Sequence, residues 1–177
     1  MKKTSFVVLL VFLSIMLVGC QQEKIGTHAE VTEGDFIYRL VTEKAAYSDS
    51  EPVKLYAELE YIGDKEKITI WHADSPFYFP MTETTRNYEI DSLMPLPLIS
   101  TEMIKGEPLR AEYKGSGGYS SEDKKEYIEF MEQIMNEQFP EGHYVVEGFA
   151  DFWVKENDDQ KKDYWITAKI EFSVGEK

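Results

Sequence analysis

The stretch PVKLYAELEYIG, residues 52–63, decides the fold. Val53, Leu55, Ala57, Leu59 and Tyr61 fall on one side of an extended chain, and Lys54, Tyr56, Glu58 and Glu60 fall on the other. Side chains of a strand alternate between its faces, so this pattern predicts a strand with one buried and one wet face. On its N-terminal side, Phe36, Tyr38 and Leu40 alternate with Ile37, Arg39 and Val41, followed by the polar turn KAAYSDSE, residues 44–51. On its C-terminal side, Gly63-Asp64-Lys65 supplies a turn. KITIWHA then sets Ile68, Ile70 and His72 opposite Thr69 and Trp71. Short strands separated by polar turns predict antiparallel pairing.

Farther along, Pro76 and Pro80 bracket the aromatic patch PFYFP. Proline cannot donate to a sheet ladder, so the patch reads as an edge or a loop. RNYEI, residues 86–90, is a weak strand, Pro95 and Pro97 mark a break, and ISTEMIKGEPLRAEYK forms two short runs around Lys105-Gly106-Glu107. KGSGGYSS, residues 114–121, reads as a flexible joint leading into a helix, Ser121 to Phe139. Ser120 and Asp123 resemble a capping box at its start. Tyr127, Phe130, Met131, Ile134 and Met135 recur at helical spacing, and Phe139 extends the stripe. Pro140 and Gly142 end it. HYVVEGFADFWV, the polar turn KENDDQKKD and YWITAKIEFSV then read as a hairpin. The chain is therefore expected to be mainly β: an antiparallel β-sandwich with one inserted amphipathic helix.

Three stretches carry a resemblance: YSDSEPVKLYAELEYIGDKEKITI, MIKGEPLRAEY and FPEGHYVVEGFADFWV. They resemble bacterial immunoglobulin-like domains of the intracellular proteinase inhibitor type. Such domains have a Gly-Asp turn after an early strand, a Lys/Pro-Gly-Glu turn before a middle strand, and a Pro-x-Gly-x-Tyr corner. Here Pro140, Gly142 and Tyr144 stand at that corner. The resemblance implies an immunoglobulin-like sandwich over residues 34–177, with helix 121–139 as an insertion. It implies little about inhibition, because one fold carries many functions.

The N-terminal residues MKKTSFVVLLVFLSIMLVGC combine a basic start, an apolar run and a small residue before the cysteine. That order is a secretory leader. The apolar run is shorter than the ~20 residues a membrane-crossing helix needs. Leu17-Val18-Gly19-Cys20 resembles the bacterial lipobox, which implies cleavage after Gly19 and a diacylglyceryl group on Cys20. Residues 1–19 are then a lipoprotein signal peptide, and residues 20–33 a lipidated N-terminus with a polar tether. Two acyl chains make a stable anchor where one holds only marginally. Cys20 is the chain's single cysteine, so lipidation leaves no thiol for a disulfide, a metal or a nucleophile.

Loss of the leader takes two lysines and no acid, so 19 basic residues fall to 17 against 33 acids, a net charge of −16. Such a chain repels nucleic-acid phosphates. Its chemistry-bearing motifs are sparse. Ser121-Glu122-Asp123-Lys124 matches S-x-x-K, but the accompanying S-D-N and K-T-G elements are absent. His28, His72 and His143 form no pair at metal-ligand spacing; His72 with Asp74, and Met131 with Met135, read as structural. NDDQKKD is no EF-hand loop and KGSGG no phosphate loop. No catalytic residue, metal or cofactor is expected.

Function is then a matter of surfaces. A membrane-anchored, extracytoplasmic and non-enzymatic lipoprotein is expected to bind a protein or a wall component. The candidate contact residues are Phe77, Tyr78 and Phe79 of PFYFP and Phe130, Met131 and Ile134 of the helix stripe. The stripe is expected to pack over a sandwich edge, and it would serve a partner only if released. The alternative is a tethered protease inhibitor with LMPLPLIST, residues 93–101, as its reactive loop. A small hydrolase ranks last, for want of a nucleophile–base pair.

Overall fold

The computed structural model describes residues 25–49, 51–157 and 160–175. The signal peptide, Cys20 and the start of the tether lie outside the described residues. Among the described residues, the strands build three sheets and are joined by one helix. In the first, β1 (His28–Glu33), β2 (Phe36–Thr42), β4 (Leu55–Tyr61) and β10 (Leu109–Glu112) lie in the order β1-β2-β4-β10. The second runs β3-β14-β11-β7-β8. It contains β3 (Ala46–Tyr47), β7 (Met81–Glu83), β8 (Tyr88–Ile90), β11 (Gly142–Val146) and β14 (Ile170–Val174). The third runs β13-β12-β5-β9. It contains β5 (Lys67–His72), β9 (Ile99–Ile104), β12 (Phe149–Asn157) and β13 (Gln160–Thr167), and β6 (Phe77–Tyr78) also pairs with β12. The pairs are antiparallel apart from β3 with β14.

The alternation that predicted β4 is the burial pattern observed: Leu55, Ala57, Leu59 and Tyr61 are buried, with Tyr56, Glu58 and Glu60 half-buried on the other face. With Phe36, Tyr38 and Leu40 of β2 they form the inner face of the first sheet. Phe36 meets Phe152 and Tyr164 of the third sheet edge-on, with ring centroids 4.8 and 4.9 Å apart. Each fully buried side chain of this size contributes about 2 kcal/mol of hydrophobic stabilisation.

The opposing layer is made of the second and third sheets, joined by two bent arms. The sequence reads HYVVEGFADFWV and YWITAKIEFSV as two unbroken strands; each is broken in two. β11 passes to β12 through Glu147-Gly148, and β13 to β14 through Ala168-Lys169, where Ala168 N–H donates to Gly148 O at 2.9 Å. A Cβ on Gly148 would lie 2.9 Å from both Leu40 Cδ1 and Tyr38 Oη. The backbone must approach the first sheet there, and this turns the strands from one sheet into the next.

Other boundaries are corrected. The tether expected over residues 20–33 ends early, because His28–Glu33 pairs with β2 from His28↔Val41 to Glu33↔Phe36. Its alternating Ala29 and Val31 pack against the core. The helix expected over 121–139 is α1 (Lys125–Met135). The Ser120–Asp123 contacts form a turn ahead of it: Ser120 N–H donates to Asp123 Oδ2 and Glu122 N–H to Ser120 Oγ. The helix stops well before Pro140. Glu137 N–H donates to Ile134 O and Gln138 N–H to Gln133 O, a Schellman closure that puts Glu137 at φ 60°. KGSGGYSS is also not simply a loose joint. Gly115 (φ 25°) lies against the last helical carbonyls, with no room for a side chain, and Gly117 (φ 125°) lies against the Met131 methyl in a conformation that L side chains rarely adopt. The Pro140–Gly142–Tyr144 corner is present: Tyr144 Oη donates to Pro140 O at 2.7 Å.

Candidate functional site

Phe77 and Phe79 of PFYFP are buried, as are Phe130, Met131 and Ile134 of α1. The helix stripe packs on β8, where Tyr88 meets Tyr127 and Phe130 edge-on at 5.0 and 5.1 Å. These five side chains belong to the core, because the stripe and the proline-flanked patch find apolar partners inside the protein, and Phe77 and Phe79 reach the surface only at the base of a cleft. Tyr78 is the exception. It is half-buried on the outer face of the third sheet, and it opens an aromatic array there.

That array follows from strand register. Phe149, Asp151, Trp153 and Lys155 are the outward positions of β12, because Ala150, Phe152 and Val154 point into the core. Tyr78 stands opposite Phe149 and stacks on it at 4.7 Å, with an interplanar angle of 11°. Phe149 in turn stacks on Trp165 of β13 at 4.0 Å and 20°. Trp153 stands opposite Trp71 of β5, stacked at 4.6 Å and 10°. Trp165 is 56% exposed. The chain has three tryptophans, and all of them lie on this face. Large apolar patches rimmed by polar residues mark interaction sites on folded proteins.

Polar groups separate the two stacks. Asp151 stands opposite Trp165 and Asp163 opposite Trp153. Burial pushes the Asp151 carboxyl above its usual range, and neighbouring Asp163 adds to the rise while Lys161 opposes it. Burial, and then Asp151, raises the Tyr78 phenol. Lys161 Nζ holds Asp163 at 2.8 Å and lies 5.8 Å from the Trp153 ring; Lys155 Nζ lies 5.5 Å from the Trp71 ring. Lys67 pairs with Glu102 at 2.8 Å across β5 and β9. On this face Lys67, Lys155 and Lys161 balance Glu102, Asp151 and Asp163, although the chain as a whole carries −14. The sequence signal was the double apolar character of FADFW: a strand at the surface of a two-layer sandwich needs only one apolar face, so Phe149 and Trp153 were surplus to the core.

A second feature is a cleft of about 570 Å³. One wall is β10 and its continuation, Arg110 to Lys114; the other is Ser92 to Pro95; Phe77, Phe79 and Tyr113 lie at its base. Leu93 N–H donates to Ser116 Oγ at 2.8 Å, and Asp74 N–H to Pro95 O at 3.4 Å, which fix the second wall. Of the stretch 93–101, Leu93, Leu96 and Leu98 are exposed, while Ile99 to Thr101 already belong to β9.

His72 contacts Ala73 O and Thr101 Oγ1, both at 2.8 Å, and burial lowers its affinity for a proton. Ser121 to Lys124 precede α1. Among the described residues no group of three or more His, Cys, Asp or Glu is gathered to hold a metal ion, and no helix is long and apolar enough to cross a membrane. No family model matches this chain, and no curated protein matches it.

Proposed function

We propose that this protein is a non-enzymatic binding module, anchored by lipid on Cys20 at the outer face of the membrane, that engages a neutral wall glycan through the outer face of the third sheet. The carrying observation is the pair of aromatic stacks, Tyr78–Phe149–Trp165 and Trp71–Trp153, interleaved with Asp151 and Asp163. Sugars present C–H groups on one side and hydroxyls at the edge. Aromatic faces and ring edges receive the first, and carboxylates accept hydrogen bonds from the second. The local charge balance suits an uncharged polymer, since neither a polyanion nor a polycation finds a net field there.

The test uses the full chain in detergent micelles, titrated with N-acetylglucosamine oligomers and with other neutral wall oligosaccharides. All three tryptophans lie at the proposed site, so their emission reports on it directly. A saturable blue shift is expected, and Trp165→Ala should weaken binding at least about tenfold, the worth of one stacked anchor. Unchanged emission across the whole panel, or binding indifferent to Trp165→Ala, would reject the glycan reading. A tethered inhibitor is the second reading, favoured by Leu96 standing 81% exposed between Pro95 and Pro97. It requires a secreted protease to bind this segment without cutting it.

A further inference from the structure

β10 ends the first sheet, so one side of its backbone has no strand beside it. Register identifies which groups are left over. Tyr113 N–H donates to Leu55 O at 2.9 Å, and residues pair as Ala111↔Ala57 and Leu109↔Leu59. In an antiparallel ladder alternate residues exchange both of their hydrogen bonds with the partner strand. Leu109, Ala111 and Tyr113 therefore face β4, and the N–H and C=O groups of Arg110 and Glu112 face away from it. Among the described residues nothing bonds to them. No β4 residue lines the 570 Å³ cleft, whereas Arg110 to Lys114 do. The unused backbone groups thus border a cleft with an apolar base and a fixed far wall.

We propose that this cleft accepts an extended peptide, which adds to β10 as a further strand of the first sheet. Main-chain bonds to Arg110 and Glu112 would supply affinity, and alternate side chains would enter over Phe77, Phe79 and Tyr113. The charges on the rim choose the occupant. Lys114 has no ion-pair partner among the described residues, and neither has Asp74 beside the other wall. Arg110 is already engaged: its guanidinium lies 3.4 Å from the centre of the Tyr56 ring and reaches Glu58 at 3.5 Å. The peptide that fits carries apolar residues at alternate positions, an acid to meet Lys114 and a base to meet Asp74. This surface is separate from the aromatic face, and each can fail without the other.

The experiment measures amide-hydrogen exchange of the full chain in micelles. The probes are short peptides of alternating valine and threonine, with a terminal glutamate and lysine in both orders and in both strand directions. At least one probe should bind saturably and slow exchange at the Arg110 and Glu112 amides tenfold or more. Methylating alternate peptide nitrogens should abolish both effects. Glu112→Pro removes one outward donor on an edge strand, where proline is tolerated. It should lose binding while keeping the chain folded, as reported by unchanged exchange at the Ala111 amide. Lys114→Glu leaves acids at both rims and should abolish the preference for one charge order. Binding without protection at residues 110 and 112, binding that survives N-methylation, or no binding by any probe overturns the proposal.

Discussion

At the scale of single residues, Glu83 combines full burial with ionic partners. Its side chain is 0% exposed, yet it accepts hydrogen bonds from Thr85 N–H at 2.7 Å, Arg86 N–H at 2.9 Å and the Arg86 guanidinium at 3.2 Å. Burial pushes its carboxyl up, but the hydrogen bonds from Thr85 and Arg86 outweigh it, and the group ends below the ordinary value of 4.5. The folded protein then takes up this proton less readily than the unfolded chain does. The stabilisation is full above pH 4.5 and is lost as pH falls through the lowered native value. Glu83→Ala should cost about 3 kcal/mol, because donors and a cation are left unpaired. In thermal melts, the gap between wild type and Glu83→Gln should be widest near neutral pH and should narrow as the pH drops below 4.5. A gap independent of pH would contradict the account. Gly142 shares the niche, since a Cβ there would fall 2.5 Å from Glu83 Oε1. None of this is legible in the stretch MTETTR, residues 81–86, taken alone. Only folding brings Gly142 and the turn donors around it.

At the scale of elements, α1 shows how a pattern can be right in kind and wrong in extent. Of the stripe that helical spacing foretold, Phe130, Met131 and Ile134 are buried and Tyr127 is half-buried, whereas Met135 is 46% exposed. The end of the helix was misjudged, because the Schellman closure at residues 137–138 carries no glycine to announce it. Glu137 adopts φ 60°, which an L-residue reaches at a cost of about 1 kcal/mol. Glu137→Gly should therefore raise stability by up to about that amount, measured as the denaturant midpoint, provided the entropy of the unfolded chain does not offset it. A lower midpoint would show that this side chain contributes more than its backbone strain costs. The same limit explains β1 and the two bent arms. Ala29 and Val31 gain a buried side only by pairing with β2, and the break at Gly148 depends on Tyr38 and Leu40, remote in sequence.

At the scale of the whole molecule, only a short stretch of sequence separates Cys20 from β1, which begins at His28. If Cys20 carries lipid, the domain is held close to the membrane, and its partners are restricted to what reaches that layer. Mass spectrometry of the membrane-extracted protein should find a mature chain beginning at Cys20 with a diacylglyceryl thioether. A chain beginning at Met1, or a free thiol at Cys20, would refute the anchor. The sequence by itself determined the mainly-β class, the strands with one polar face, the amphipathic helix, the acidic balance and the lipobox resemblance. Each of these is written in local order or composition. Tertiary structure decided that Phe77, Phe79 and the helix stripe belong to the core, that Tyr78, Phe149, Trp165, Trp71 and Trp153 share one outer face, and that β10 borders a cleft. The physical reason is that a strand's alternation says which side chains share a face, but not which face is covered. Covering depends on pairing and layering between segments far apart in the chain.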